Sequence, residues 1–373
     1  KPVPEDGNVR VVGAEQTNVS AIVDERLMIK LYRRLRRGVQ PEVEIANFLS
    51  HVAHYDNTPM LRGYVEYQPD EGEPVALSAL FDFVENQGDC WNAIVDGLDR
   101  ALEEHALTTT ERMEEEAAET LPYTFPINLM GILGKRTAEL HQAFAIDTSD
   151  PAFAREALGK ADISGWVGDL KGQMNRAFDA LDRAHERVSQ EVAETIARLQ
   201  AQRKALEARV DALADTRPEG AKTRIHGDYH LGQVLVSQAD VVIIDFEGEP
   251  GRSLAERRAK TSPLRDVAGM LRSIDYAAFA ALDRVGSRVP DLPERTIAAA
   301  ENWRRRASDE FVQIYKATAG DMPSMPRDAQ TLDRQLEIFL LQKVFYEINY
   351  EAANRPTWLS IPVRGALELM AKG

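Results

Sequence analysis

Residues 224–252 read RIHGDYHLGQVLVSQADVVIIDFEGEPGR, and this stretch limits the possible folds more than any other part of the chain. Asp228 follows a histidine and a glycine. Asp245 ends an apolar, β-branched run, Val241-Val242-Ile243-Ile244. Such residues favour a pleated, half-buried strand. The run therefore predicts a short hairpin with a carboxylate at each end. Any fold that contains it has to bring Asp228 and Asp245 to two sides of one small group.

Phosphoryl transfer makes that demand. A carboxylate beside the acceptor hydroxyl orients it and accepts its proton, while oxygen ligands hold the Mg²⁺ that neutralises charge on the nucleotide phosphates. Asp228 suits the first task, as catalytic base. Asp245 and the side-chain amide oxygen of Gln233 suit the second, because Mg²⁺ prefers oxygen and takes few protein ligands. Glu247 is open between a further metal or substrate ligand and a solvated acid. A metal-hydrolase cluster of His226, Asp228, His230 and Asp245 is disfavoured. Such sites draw on more ligands downstream, and no histidine follows His230. A binding module without turnover is disfavoured too, because each expected catalytic position is filled. His226 and His230 are read as braces of the loop, and Arg265 and Asp266 as a lock at the start of the next helix.

The flanking pattern predicts the rest of the fold. Val9–Val12, Val19–Val23, Arg26–Tyr32, Pro59–Gln68 and Val75–Val84 read as strands, with a helix over Glu42–Ser50 after Pro41. From Gln87 onward the periodicity is helical: Cys90–Glu119, Phe125–Ala145, a long polar stretch over Trp166–Ala214, then Pro263–Ala281, Leu292–Ala317, Thr331–Asn354 and Val363–Ala371. The long stretch carries a narrow apolar stripe, which fits either an intrachain face or a partner-binding coiled coil. The expected fold class is α+β. It is a two-lobed, protein-kinase-like arrangement, with a small antiparallel-sheet N-lobe over residues 1–86 and a larger, mainly helical C-lobe over 87–373.

Such a fold needs further parts, and the sequence offers them in order. Lys30, on the third strand, is the candidate for holding the α/β-phosphates. Glu42 and Glu44 are the candidates for orienting it, with Glu44 preferred because it stands one turn before Phe48. The turn from Gly13 to Ser20 brings small polar side chains and backbone N–H groups to the phosphates, with Gln16, Thr17, Asn18 and Ser20 as contacts. The hinge falls at Phe83-Val84-Glu85-Asn86, where Glu85 is the expected backbone partner of the adenine.

Composition narrows the partners. At 373 residues the chain exceeds one ordinary core. A net charge of −15 and a pI near 5.1 disfavour non-specific nucleic-acid or anionic-membrane binding. ATP stays compatible, since its phosphates are met by Mg²⁺ and local donors. The single cysteine, Cys90, excludes an internal disulfide and is read as a packed residue. No apolar run approaches the ~20 residues of a membrane span. The start, Lys1-Pro2-Val3-Pro4, has neither a methionine nor a signal-peptide pattern. The expectations are a cytoplasmic protein, and a fragment or part of a longer chain.

Several segments together carry a family resemblance: GAEQTN at 13–18, VENQGD at 84–89, LGKRTAELH at 133–141, the whole of 225–258, PLRDVAGM at 263–270, then Tyr346-Glu347, Tyr350-Glu351 and Asn354-Arg355-Pro356. They resemble the aminoglycoside-phosphotransferase-like kinases. Within these the nearer resemblance is to maltokinases, including the maltokinase region of proteins fused to trehalose synthase. The resemblance implies ATP- and Mg²⁺-dependent phosphorylation of maltose at its anomeric hydroxyl, giving maltose 1-phosphate for α-glucan and glycogen synthesis. It also implies possible association or fusion with trehalose synthase. Asp228 would be the base, Gln233 and Asp245 the metal ligands, and Lys30 the phosphate ligand. Gln233 stands where many related kinases have Asn, and its longer side chain still offers an amide oxygen. Maltokinases usually carry a further cap before the small sheet. Its absence from this sequence implies a fragment, a fused parent or a shorter variant. Kinases of glucosamine or other sugars, and antibiotic kinases, share the fold.

A disaccharide needs hydroxyl-binding polar groups and aromatic faces. Lys343, Tyr346, Glu347 and Tyr350 recur at helical spacings of three and four, so they share a face and form the expected sugar-binding set. Arg355 and Trp358 are expected near its rim. The mixed charge of that face fits a neutral sugar better than a polycationic antibiotic.

Overall fold

The computed structural model describes residues 7–12, 18–108, 125–184 and 188–371. Five strands form the N-terminal sheet: β1 (Val9–Val12), β2 (Asn18–Val23), β3 (Leu27–Tyr32), β4 (Leu61–Tyr67) and β5 (Val75–Asp82). Their order is β1-β2-β3-β5-β4, and neighbouring strands are antiparallel. Asp24 and Glu25 close the β2–β3 hairpin with φ of 54° and 53°. Two left-handed residues give a turn whose twist matches the strands it joins. The register sets Lys30 opposite Ser20 and Ala79, in the middle of the sheet.

Between β3 and β4 lies α1 (Pro41–His51), which begins on proline, where the missing N–H costs nothing. Its Ile45, Phe48 and Leu49 are buried against the C-terminal core, and Phe48 stacks on Phe153 at 3.8 Å. That contact links α1 to the helical region.

The C-terminal region is helical. Asp89 caps α2 (Cys90–Leu107) by accepting from the Asn92 N–H at 2.8 Å. The expected continuation to Glu119 lies outside the described residues from 109 onward. After α3 (Phe125–Phe144), the stretch read as one or two long helices is divided into three: α4 (Lys160–Ala184), α5 (Gln190–Ala201) and α6 (Arg203–Leu213). Ser189 caps the second, and Gln202 leaves helical geometry between the second and third. Their stripe of Leu170, Met174, Phe178, Ile196, Leu206 and Val210 is buried within the chain, against Ile338, Phe345 and Val363. An intrachain core thus occupies the face that also fitted a coiled coil. Two-residue strands β6 (Glu156–Ala157) and β7 (Ala221–Lys222) pair just before the motif.

The motif itself forms β8 (Val234–Ser237) and β9 (Asp240–Ile243), an antiparallel hairpin. Val234, Val241 and Ile243 are fully buried among Leu231, Met270 and Ile274. The predicted hairpin is therefore set into the core, and its ends are held rigidly. A short helix, α7 (Leu254–Arg258), follows, and was not expected. Its capping box, Ser253 with Glu256, is readable in the sequence. Then come α8 (Leu264–Arg288), α9 (Glu294–Ala319), α10 (Ala329–Asn354) and α11 (Ser360–Ala371). The whole is a mixed α+β, kinase-like fold of a small antiparallel sheet and a larger helical region. Among the described residues no helix is long and apolar enough to cross a membrane.

Candidate active site

Lys30 is the hub of the site. Its ammonium lies 2.9 Å from Glu42, 2.7 Å from Asp245 and 2.8 Å from Glu247. Burial alone would push the lysine down, but these carboxylates outweigh it and hold Lys30 well above its ordinary value. Glu42 also accepts the Tyr32 hydroxyl at 2.7 Å, and burial pushes its carboxyl up. The preference for Glu44 as the orienting acid is corrected here. Glu44 points away from Lys30 and receives Arg224 at 2.6 Å and Arg258 at 2.9 and 2.6 Å. Residues 42 and 44 are separated by about 200° around a helix at 3.6 residues per turn, so both cannot face the lysine.

Asn18 and Ser20 are buried at the start of β2, and the Asn18 amide donates to Glu247 at 2.5 Å. Gln16 and Thr17 lie outside the described residues. After β5, the Glu85 carbonyl accepts the Ser237 hydroxyl at 2.8 Å, which ties this connection to the motif hairpin.

The loop carrying Asp228 is built around one buried acid. Asp266, in the first turn of α8, accepts from the His226 N–H at 2.7 Å and the Gly227 N–H at 3.0 Å. His141 stands 3.3 Å away on the same carboxylate and is itself 2.9 Å from the Tyr315 hydroxyl. Burial opposes the Asp266 charge, yet His141 and the loop N–H groups hold its carboxyl below the usual range. The His226 ring meets the Ile244 carbonyl at 2.9 Å, so it braces the Asp228 loop against the Asp245 strand. His230 caps the turn Leu231–Gln233 by accepting from the Gly232 N–H. Gly269 lets α8 approach closely: a Cβ there would stand 2.7 Å from the Tyr229 carbonyl.

Asp245 has φ of 66°, a left-handed conformation that aspartate tolerates better than most residues. Burial opposes its charge, but Lys30 outweighs this and keeps the carboxyl below its ordinary value. The Gln233 amide nitrogen donates to it at 3.1 Å. An ionised carboxylate with an amide oxygen beside it is a donor set that fits Mg²⁺. Glu42, Asp245 and Glu247 also bring oxygens within 4.8 Å of one another. The Lys30 ammonium occupies the centre of that group.

Asp228 opens onto a cleft of about 530 Å³. Its polar lining includes Glu249, Arg252, Arg265, Gln342, Lys343 and Tyr346. Arg252 holds Glu249 at 2.6 Å, and Lys343 sits 5.2 Å from the Tyr346 ring. Of the expected sugar set, Lys343 and Tyr346 reach the cleft. Glu347 does not: it is buried and binds Arg272 at 2.8 Å. Tyr350 stacks behind Tyr346 with ring centroids 6.5 Å apart and does not line the cleft. Arg355 pairs with Glu351 at 2.7 Å and lies 4.6 Å over Trp358, away from the cleft lining. Helical spacing put these residues on one face, but Glu347 lies at its buried edge, where Arg272 of α8 takes it, while Tyr346 and Tyr350 stay exposed. Glu249 and Arg252 line the cleft outside the expected set. The alternation of acids at 245, 247 and 249 was the available signal for Glu249.

A sequence model of the phosphotransferase enzyme family (APH) matches residues 11–284. The chain belongs to this family. The match covers the sheet, the hairpin, Asp228, Asp245 and Asp266. A glucosamine kinase from Streptacidiphilus jiangxiensis is 26% identical over 364 residues, which are 97% of this chain and 73% of that protein. Another from Mycolicibacterium smegmatis is 27% identical over 365 residues, 98% of this chain and 80% of that one. A solved glucosamine kinase in complex with glucosamine, ADP and inorganic phosphate superposes with a TM-score of 0.71 at 24% identity, covering 98% of this chain and 80% of its own. At that identity the likeness shows the fold. None of these three is a maltokinase, so the nearer resemblance read from the motifs shifts from maltokinases to glucosamine kinases.

Proposed function

We propose that this phosphotransferase transfers the γ-phosphate of ATP to a hydroxyl of an amino sugar of the glucosamine type. The N-lobe would extend to Asn86 and the C-lobe from Gln87. Asp228 orients the acceptor hydroxyl and takes its proton. Lys30, aligned by Glu42, holds the nucleotide phosphates under the turn that ends at Asn18 and Ser20, and the Glu85 backbone meets the adenine. Asp245 and Gln233 would hold Mg²⁺, which when bound neutralises charge on the phosphates. The buried Asp266 keeps the Asp228 loop from moving during transfer, which preserves alignment between hydroxyl and phosphate.

The observation that carries the acceptor is the lining of the Asp228 cleft. The features that favoured a disaccharide, Glu347 and Tyr350, are turned away from it. What remains is one exposed aromatic face, Tyr346, beside Asp228 and a mixed set of charges, Glu249 held by Arg252 with Lys343 nearby, which suits a single small sugar ring. The named relatives, matched over nearly the whole chain, support the same choice and give no support to maltose or to association with trehalose synthase.

Initial rates of ADP release with glucosamine, N-acetylglucosamine, glucose and maltose test this. The highest kcat/KM is expected with glucosamine, and blocking its amine by acetylation should lower it. A preference for maltose would return the acceptor to a disaccharide.

A further inference from the structure

The chain between Asp245 and α7 is a wall shared by two sites. Near its start, Glu247 faces the lysine hub, where Lys30 holds it at 2.8 Å and the Asn18 amide at 2.5 Å. Further on, Glu249 and Arg252 line the Asp228 cleft. This second half has no such side-chain tie to the sheet strands. Its backbone is fastened by one side chain from α7. Arg257 donates from Nε to the Arg252 carbonyl at 3.1 Å, from Nη1 to the Glu247 carbonyl at 3.3 Å and from Nη2 to the Pro250 carbonyl at 2.7 Å. All three nitrogens of one planar guanidinium are spent on carbonyls of the stretch 247–252. Gly248 lets the chain wrap around this side chain: its φ is 71°, and a Cβ there would stand 3.4 Å from the Arg257 Cβ and Cγ.

What the Arg257 clasp holds reaches the cleft directly. The Arg252 N–H closes a turn on the Glu249 carbonyl at 3.1 Å, and the Arg252 side chain holds the Glu249 carboxylate at 2.6 Å. The backbone of 250–252 therefore places both charges. Tyr346 feels the same carboxylate: burial, then the charge of Glu249, push its phenol up to about 12. Arg257 itself is not part of the cleft lining, so its influence passes through the loop. Its charge also belongs to the surroundings. Burial, then Arg36, pull the guanidinium below its ordinary value, while Glu247, Asp228 and Asp245 pull it up. Shape and charge are thus two separable contributions of one residue.

We propose that Arg257 is a positioning residue for the acceptor: its planar fork shapes 250–252 and so fixes Glu249 and Arg252 on the wall of the Asp228 cleft. This role rests on that cleft being the acceptor site, and on no particular sugar. Lysine would keep the charge, but it carries one compact ammonium in place of the fork and cannot meet three carbonyls in the same geometry. The Glu247 end has its own ties to Lys30 and Asn18, so loss of the fork should fall on the acceptor and spare the nucleotide.

Steady-state kinetics of the full chain compare wild type, R257K and R257A. The acceptor is whichever of glucosamine, N-acetylglucosamine, glucose and maltose gives the highest wild-type kcat/KM. Amide hydrogen exchange is followed on the same proteins, saturated with the magnesium complex of a non-hydrolysable ATP analogue. R257K is expected to raise the acceptor KM about fivefold or more, with kcat and Mg-ATP affinity within about threefold of wild type. Exchange should quicken in 246–253 and stay as in wild type in α8 and the β8–β9 hairpin. An R257K that matches wild type in acceptor KM and loop exchange, while R257A does not, assigns the residue's effect to its charge and overturns the clasp. Lost ATP affinity with faster exchange throughout the helical region marks a fold-wide defect and overturns it as well. A wild type that turns over none of the four acceptors would count against the acceptor reading. Loop exchange then decides separately: faster exchange confined to 246–253 in R257K upholds the clasp, and unchanged exchange overturns it.

Discussion

Replacing Glu44 with Gln removes the carboxylate that faces Arg224 and Arg258 and leaves Lys30 with its own partner, Glu42. Arg224 is 1% exposed, and its Nε and Nη2 already lack hydrogen-bond partners. The glutamine oxygen still accepts one bond, but the buried guanidinium loses its counter-charge, a change of about 3–5 kcal/mol. The Arg258 side chain is 36% exposed, so solvent screening reduces its share to near zero. For 373 residues, an unfolding entropy of about 2.1 cal/mol/K per residue gives roughly 0.8 kcal/mol/K for a single cooperative transition. The melting temperature of E44Q should then fall by about 4–6 °C. Scanning calorimetry of wild type, E44Q and E42Q, with Mg-ATP affinity measured on the same samples, separates the two acids. E44Q is expected to lose stability and keep nucleotide affinity within a few-fold. E42Q is expected to lose turnover, because Lys30 loses the acid that aligns it. A stable E44Q with lost ATP affinity would refute the reasoning and return Glu44 to Lys30.

Other outcomes follow from the same geometry. Gly269→Ala drives a Cβ toward the Tyr229 carbonyl, and should cost about 1–3 kcal/mol and lower turnover together, read by melting temperature and kcat. Asp266 has a folded pKa held below its unfolded value of about 3.9. Its contribution to stability is present above that value and is lost as pH falls through the folded pKa. The melting temperature should therefore drop below about pH 4, and D266N should start lower and show a flatter acid limb. Tyr346→Ala should raise the acceptor KM, whereas Tyr350→Ala should leave it within about twofold. Initial-rate kinetics distinguish the two.

Much of the fold was legible because the strongest signals were local. The β-branched run at 241–244, Pro41 at the first turn of α1 and the periodic helices each fix their own element. The order of Lys30 and Asp245 along the chain anticipated their contact. What the sequence left open was direction. Glu42 and Glu44 are equally good on paper, and only packing of Phe48 and Leu49 into the core decides which one faces the sheet. Glu347 shares a helix face with Tyr346, yet a buried Arg272 on the neighbouring helix captures it. The acceptor depends on such captures, and on cleft residues drawn from segments far apart, so motif likeness alone pointed to maltokinases where the named relatives are glucosamine kinases. The Glu247 pair with Lys30 bridges more than half of the chain and has no local signature.

The most direct test of the central claim is glucosamine-dependent ADP release by wild type and by D228N, with Mg-ATP binding measured alongside. If Asp228 is the base in an amino-sugar kinase, D228N should bind nucleotide as wild type does and lose turnover by about 10²–10⁴-fold. Near-full turnover in D228N would contradict the assignment of the base. A wild-type protein that binds ATP but releases no ADP with glucosamine would contradict the proposed acceptor.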